Sequence, residues 1–259
     1  MTVDQELAED LAAEAGRLLV GLRTSGPAGK ELGALGDRES NALLLSRLAA
    51  QRPGDAVLSE ESADDPARLS AKRVWIIDPV DGTREYSMGD RPDWAVHVAL
   101  WERPAGLTAA AVGLPGLGCV LGTGTLPTVS GLLPIRTSGR PRIVISGSRP
   151  PAFAEAVADA LGGDLRPLGS AGAKVAAVVL GEADAYVHAG GQYQWDSAAP
   201  VAVALAHGLH CSRIDGAPLQ YNVAETWLPD LVVCRDDLRD AILGAIAAAA
   251  RCVDQPGRR

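Results

Sequence analysis

The 259 residues are 47% hydrophobic but only 4% aromatic, so the length holds one large domain or two small ones sharing an interface, with alanine-rich, helix-rich packing. A formal net charge of −8 makes a nucleic-acid polymer a poor partner. No run of about 18 apolar residues offers a membrane span, and the acidic start Met-Thr-Val-Asp-Gln-Glu lacks a signal-peptide pattern, so a cytoplasmic location is expected.

Leu7, Leu11, Ala15, Leu18, Leu19 and Leu22 recur at helical spacing and predict an amphipathic helix over 4–23, ended by Ser25-Gly26-Pro27. A polar, glycine-containing stretch then runs to Gly36. Asp37 reads as the N-cap of a second helix carrying Leu43, Leu44, Leu45 and Leu48. A turn at Pro53-Gly54-Asp55 leads into a short strand, Ala56-Val57-Leu58-Ser59, which ends in Glu60-Glu61. After an Asp/Pro-rich loop, Val74-Trp75-Ile76-Ile77 reads as a buried strand. Pro79 biases Asp78 away from the helical region and removes a donor, so the strand is expected to stop there.

Beyond it, Trp94 to Trp101, Ala109 to Leu114 and Val120-Leu121 predict an antiparallel sheet with turns at Pro104-Ala105-Gly106 and Pro115-Gly116. The stretch near 113–141 is rich in Gly, Pro, Thr and Ser. From Arg142 onward the pattern alternates. Arg142–Ile145, Leu165–Leu168 and Ala183–Val187 read as strands; helices are expected from Pro150-Pro151 to Leu161, from Gly169-Ser170-Ala171 to Leu180, and from Asp196, as N-cap, to Ala206. An α+β half, 1–139, with an antiparallel sheet would therefore precede an α/β half, 140–259. Cys119, Cys211, Cys234 and Cys252 form no Cys-x-x-Cys, which fits free thiols in a reducing compartment. His207 and His210 read as a helix-end surface pair, and His97 as a structural strand residue.

The chemistry gathers at Asp78-Pro79-Val80-Asp81-Gly82-Thr83. Two carboxylates with a backbone carbonyl between them converge if the chain curls, as the proline and glycine allow. Such oxygen ligands suit Mg²⁺ better than Zn²⁺. Gly82 and Thr83 then offer backbone N–H groups at a helix start, where a phosphate is favoured. Taken singly, Glu60-Glu61 reads as a solvated turn, and Asp37 and Asp196 read as helix caps.

Taken together, Ser59-Glu60-Glu61, Trp75-Ile76-Ile77-Asp78-Pro79-Val80-Asp81-Gly82-Thr83 and Trp195-Asp196-Ser197-Ala198-Ala199 resemble the inositol monophosphatase superfamily of metal-dependent, lithium-sensitive phosphatases. The resemblance runs from about Asp37 to Asn222. Within the superfamily, four segments look like the 3′(2′),5′-bisphosphate nucleotidases of the CysQ type. They are Thr83-Arg84-Glu85-Tyr86, Ser146-Gly147-Ser148-Arg149-Pro150, Gly169-Ser170-Ala171-Gly172-Ala173-Lys174 and Gly216-Ala217-Pro218-Leu219-Gln220-Tyr221-Asn222. One departure is the entry to the first acidic position, which reads Leu35-Gly36-Asp37 without the nucleotidases' Pro-Val-Thr run.

The resemblance implies a two-part, layered αβαβα sandwich. One Mg²⁺ would be held by Glu60, Asp78 and the Val80 carbonyl, and a second shared by Asp78, Asp81 and Asp196, with a third, weaker ion as an option. Thr83, hydrogen-bonded to Asp37 and with Glu60 nearby, would orient and deprotonate the attacking water. Gly82 and Thr83 would carry the phosphate, and Asp196 would border the substrate. Gly169, Ser170 and Ala171 would let the backbone approach the sugar, with Arg84, Arg149 and Lys174 as anchors for a phosphate that is not cleaved. His188 falls about where the inositol enzymes place a sugar-contacting Glu, which favours a more anionic substrate. The implied reaction is removal of the 3′-phosphate from 3′-phosphoadenosine 5′-phosphate or its sulfated form, in support of sulfate assimilation, by an enzyme that is often a homodimer in this superfamily. Inositol 1-phosphate or fructose 1,6-bisphosphate as substrate, and a non-catalytic Mg²⁺-dependent binding protein, are the competing readings.

Overall fold

The computed structural model describes residues 1–124 and 139–253. Its first sheet has the order β1(Ala56–Ser59), β2(Arg73–Asp81), β3(Ala95–Glu102), β4(Gly106–Leu114), β5(Cys119–Gly122). Only β1–β2 is parallel, and the other three pairs are antiparallel. The second sheet contains β6(Arg142–Ser146), β7(Asp164–Leu168), β8(Ala185–Tyr193), β9(His210–Ser212) and β10(Trp227–Cys234), ordered β7-β6-β8-β10-β9. The β7, β6 and β8 strands are parallel, and β10 runs antiparallel to both its neighbours.

Helices cover both sheets and fill the space between them. The outer helices α1(Val3–Ser25) and α2(Lys30–Gln51) bury Leu7, Leu11, Leu19, Leu44 and Leu48 against Trp75, Ile77, Val96, Val98 and Leu100 on one face of the first sheet. A short α3(Thr83–Ser87) follows β2. Between the sheets lie α5(Ala171–Val179) and α6(Gln194–Ala206), whose small side chains pack with Ile76, Val112, Val144 and Leu231 in one continuous cluster. On the far face of the second sheet, α4(Ala154–Leu161) and α7(Arg239–Val253) close a third cluster around Val157, Val187, Val232 and Ile242. The layering is αβαβα, as expected, and the sheets share a central core in addition to the outer core that each packs on its far face.

Several boundaries differ from the sequence expectation. The second helix starts at Lys30, not at Asp37, after Gly29 at φ 62°. Glycine weakens a helix by about 1 kcal/mol against alanine, which hid about the first two turns. Packing overrides that cost, because a Cβ at Gly36 would lie 2.5 Å from Tyr86 Cε1 and one at Gly33 would lie 3.0 Å from Thr83 Cγ2. Asp37 is therefore a residue of the helix body and not its cap. The strand β2 continues through Pro79 to Asp81, with a register shift against β3 between Asp78 and Asp81. A bulge, not a stop, accommodates the missing proline donor. The fourth helix begins at Ala154, beyond Pro150-Pro151. Asp196 is the third residue of α6, where its Oδ2 accepts from the backbone N–H of the capping Tyr193 at 2.5 Å. The expected division near residue 139 borders 125–138, and much of the Gly/Pro/Thr/Ser-rich stretch falls there; those residues lie outside the described ones, as does the Cys252 side chain. Cys119, Cys211 and Cys234 are free thiols.

Candidate active site

Three carboxylates meet where the bulge of β2 faces the start of α6. Asp78, Asp81 and Asp196 each offer an oxygen, and the three oxygens lie within 4.8 Å of one another. Asp78 Oδ1 accepts from the Val80 backbone N–H at 3.0 Å, while its buried Oδ2 has no hydrogen-bond partner. Asp81 accepts from the backbone N–H groups of Ala171 at 3.2 Å and Gly172 at 2.6 Å, which ties the cluster to the first turn of α5. Glu60, just past β1, lines the same cleft.

Burying so much negative charge has a visible cost. Burial first, then the Glu60, Asp81 and Asp196 charges, holds Asp78 well above the usual carboxylate range. Lost hydration and then the Asp196 charge push Glu60 up to about 7. Asp196 is pushed to about 6 by burial and then by Asp81. Only Asp81 goes down: burial opposes this, but the charge and proximity of His97 outweigh it. His97 is fully buried on β3, with Nε2 3.1 Å from Asp81 Oδ2 and Nδ1 donating to the Trp195 carbonyl oxygen at 3.0 Å. A cluster of hard oxygens that repel one another, one of them orphaned, fits a divalent cation of the Mg²⁺ type.

Behind the cluster, the Thr83 hydroxyl lies 3.1 Å from Asp37 Oδ1 and 3.0 Å from the Val80 carbonyl oxygen. Asp37 is pushed up to about 6 by burial, against the Thr83 hydrogen bond and aided by Glu61. Ser40, one turn further along α2, donates to the Pro79 carbonyl at 2.9 Å and pins the bulge. Gly82 caps α3 in the left-handed region at φ 83°, and a Cβ there would lie 2.8 Å from Ser170 Cβ.

The cleft in front of these groups has a volume of about 500 Å³. Its other walls carry Arg84, Arg149 and Lys174, the Gly169-Ser170-Ala171 loop, and His188 and Gln192 from β8. Arg84 and Arg149 are exposed. Lys174 is buried, donates to the Gly169 and Ser170 carbonyls, and is brought down to about 8 by burial. Asp93 fastens the loop: its Oδ2 accepts from the Gly169 N–H at 2.7 Å while Arg91 pairs with the same carboxylate.

Every residue singled out in the sequence except Asp37 lines this one cleft, and Asp37 reaches it through Thr83. Sequence reasoning missed four supports. His97 was read as merely structural, yet it sits against Asp81. Asp93 and Ser40 carried no local signal, because the Gly169 N–H and the Pro79 carbonyl they meet lie far away in the chain, and Gln192 has no side-chain partner that could have marked it. His207 and His210 hold the Gly122 carbonyl and the Ser212 hydroxyl respectively, and form no metal pair.

At a strand bulge, in a cleft between two sheets, an acidic cluster that could hold a metal ion faces basic side chains. The family model for the inositol monophosphatase family matches residues 3–253, so the chain belongs to that family. Among its relatives, the 3′-phosphoadenosine 5′-phosphate phosphatase of Mycobacterium bovis is 54% identical over 224 residues, covering 85% of this chain and 84% of that protein. The protein of the same name from Mycobacterium leprae is 50% identical over 256 residues, covering 94% and 93%. The crystal structure of inositol monophosphatase-II from Staphylococcus aureus superposes with a TM-score of 0.74 over 90% of this chain and 91% of that one, at 20% identity. Among the described residues no helix is long and apolar enough to cross a membrane.

Proposed function

We propose that this protein is a Mg²⁺-dependent phosphatase that removes the 3′-phosphate of 3′-phosphoadenosine 5′-phosphate, and of its sulfated form, by direct attack of water. The observation that carries this is the polarity of one cleft. Three carboxylates converge within 4.8 Å on one side, and Arg84, Arg149 and Lys174 stand on the others. That arrangement suits a molecule with two phosphates, one reacting beside the metal ligands and one held by cations. The two mycobacterial relatives named for this substrate, at 54% and 50% identity, support the same choice.

Glu60, Asp78, the Val80 carbonyl, Asp81 and Asp196 would hold the metal ions. When bound, Mg²⁺ neutralises charge on the phosphate and activates water near neutral pH. The chain's own groups then orient the reaction. Thr83 has one hydroxyl proton; donated to Asp37, it leaves the oxygen lone pairs free to accept from a water in the cleft. Asp37, at about 6, is matched to taking up a proton near neutral pH. The N–H groups of Gly82 and Thr83, at the start of α3, would bind the phosphate oxygens. His97 and the N–H groups of Ala171 and Gly172 keep Asp81 ionised and aimed. In-line attack leaves no covalent phosphoenzyme. Clearing this nucleotide in the cytoplasm would serve sulfate assimilation.

Phosphate release from 3′-phosphoadenosine 5′-phosphate should require Mg²⁺, stop with EDTA and be inhibited by Li⁺. Full activity in EDTA would refute the metal assignment. The same machinery could act on inositol 1-phosphate or fructose 1,6-bisphosphate, but the neutral sugar of inositol 1-phosphate gives Arg149 and Lys174 no second anion.

A further inference from the structure

One wall of the cleft has hydrogen-bonding capacity that the phosphate chemistry does not use. The Gln192 side chain is 6% exposed and lines the cleft, and neither its amide oxygen nor its amide nitrogen has a partner. Four residues earlier on the same strand, His188 is 5% exposed and lines the same cleft. Its Nε2 lies 3.0 Å from the Gly191 carbonyl oxygen. A carbonyl only accepts, so Nε2 carries the proton. Burial first, then the Lys174 and Arg149 charges, lower the His188 pKa against the Gly191 hydrogen bond, so the ring is neutral and Nδ1 is a bare acceptor. That Nδ1 is also buried without a partner.

The chain between the two residues is irregular. Gly190 and Gly191 take φ values of 101° and 93°, opposite a register shift in β10 between Leu228 and Asp230. A Cβ on Gly191 would lie 2.4 Å from Trp227 Nε1, so no larger residue holds the bulge without displacing the indole.

The unmet groups are two acceptors, Gln192 Oε1 and His188 Nδ1, and one amide donor. A phosphate only accepts and would meet the Nδ1 lone pair. An alcohol has one hydrogen for two acceptors. An aromatic amine beside a ring nitrogen supplies two N–H donors and one acceptor, which satisfies all three. Adenine presents that edge, and glutamine is a known bidentate partner for it. Hypoxanthine puts a carbonyl oxygen in place of the amine, facing both acceptors lone pair to lone pair.

We propose that Gln192 and His188 read the amino edge of an adenine ring and make the cleft select adenine over 6-oxopurine nucleotides. This rests on the nucleotide reading above, in which the base is part of the substrate. The direct test is calorimetric binding of AMP and of IMP, which differ at that one group, to the wild-type protein with Mg²⁺ and to Gln192→Leu. Wild type should bind AMP roughly 10- to 100-fold more tightly than IMP. Gln192→Leu, checked for folding by its melting temperature, should lose most of that preference. Equal wild-type affinities, no AMP binding, or an undiminished preference in Gln192→Leu would each overturn the proposal. If Gln192→Leu does not fold, His188→Phe takes its place with the same expectation. Ribose 3,5-bisphosphate, which has no base, separates the two claims. Phosphate release from it alongside equal AMP and IMP binding sinks the base reading alone; no release from any bisphosphate alongside a clear AMP preference sinks the phosphatase reading alone.

Discussion

The Thr83 hydroxyl lies 3.1 Å from Asp37 Oδ1, joining the first residue of α3 to the body of α2 across 46 positions of sequence. The same hydroxyl is 3.0 Å from the Val80 carbonyl oxygen, and it has one proton for two acceptors. Whichever bond it makes sets the direction of its lone pairs in the cleft. Thr83→Ala should lower kcat by about 100-fold or more with little change in KM, because a positioned proton acceptor contributes roughly 10²- to 10⁴-fold. Thr83→Ser keeps the hydroxyl and should stay within about tenfold of wild type. Steady-state kinetics on the three proteins decides; an active alanine variant removes Thr83 from the chemistry.

Asp78 is wholly buried beside Glu60, Asp81 and Asp196. Without a cation this repulsion strains the fold. Asp78→Asn keeps the acceptor for the Val80 N–H but removes a charge. The variant should melt higher than wild type in EDTA, lose most of the stabilisation that Mg²⁺ gives the wild-type protein, and hydrolyse substrate at least about 10³-fold more slowly. Differential scanning fluorimetry with and without Mg²⁺ reads the first two effects. A lower melting temperature in EDTA would show that the carboxylate is not repelled by its neighbours.

Arg68 is 1% exposed and donates to Asp64, to Asn222 Oδ1 at 2.9 Å and to the Val223 carbonyl at 3.1 Å. It ties the loop before β2 to the segment before β10. Arg68→Ala strands those acceptors and should cost about 3–5 kcal/mol, the range for breaking a buried ionic contact. Urea unfolding measures it; a loss under about 1 kcal/mol would mean that water replaces the guanidinium.

Asp93 lies below its ordinary pKa: burial opposes the shift, while the Arg91 hydrogen bond and the Gly169 N–H outweigh it. A carboxylate depressed by folding stabilises above its unfolded pKa, about 3.9, and that contribution fades as the pH falls through the folded value. Asp93→Ala should therefore destabilise by about 1–3 kcal/mol at pH 7, and by less as the pH drops below about 4. Unfolding curves of both proteins from pH 7 to pH 3 test the sign. A gap that widens toward low pH contradicts it.

The parts of this site that could be read from the chain are those whose chemistry is local. Asp78-Pro79-Val80-Asp81-Gly82-Thr83 carries two carboxylates that could hold a metal ion, the curl that joins them and a helix start in six residues. Asp196 and Glu60 became convincing only together with that motif. His97 and Asp93 act through contacts that only the fold creates: His97 meets Asp81 because β3 pairs with β2 across the bulge, and Asp93 meets the Gly169 N–H, while Gln192 shows only as an unpartnered side chain in the cleft. The start of α2 was illegible for a related reason. Gly33 and Gly36 look like a loop, and only the approach of Thr83 and Tyr86 explains why they are helical. The change from an antiparallel to an alternating pattern near Arg142 was legible in the sequence, whereas the αβαβα layering came from the family resemblance.

The account stands most directly on relative turnover. With Mg²⁺ present, kcat/KM should be compared for 3′-phosphoadenosine 5′-phosphate, inositol 1-phosphate and fructose 1,6-bisphosphate on one preparation. The cations opposite the acidic cluster and the adenine-reading wall predict that the nucleotide exceeds either sugar phosphate by about 100-fold or more. Inositol 1-phosphate turning over as efficiently as the nucleotide would contradict it.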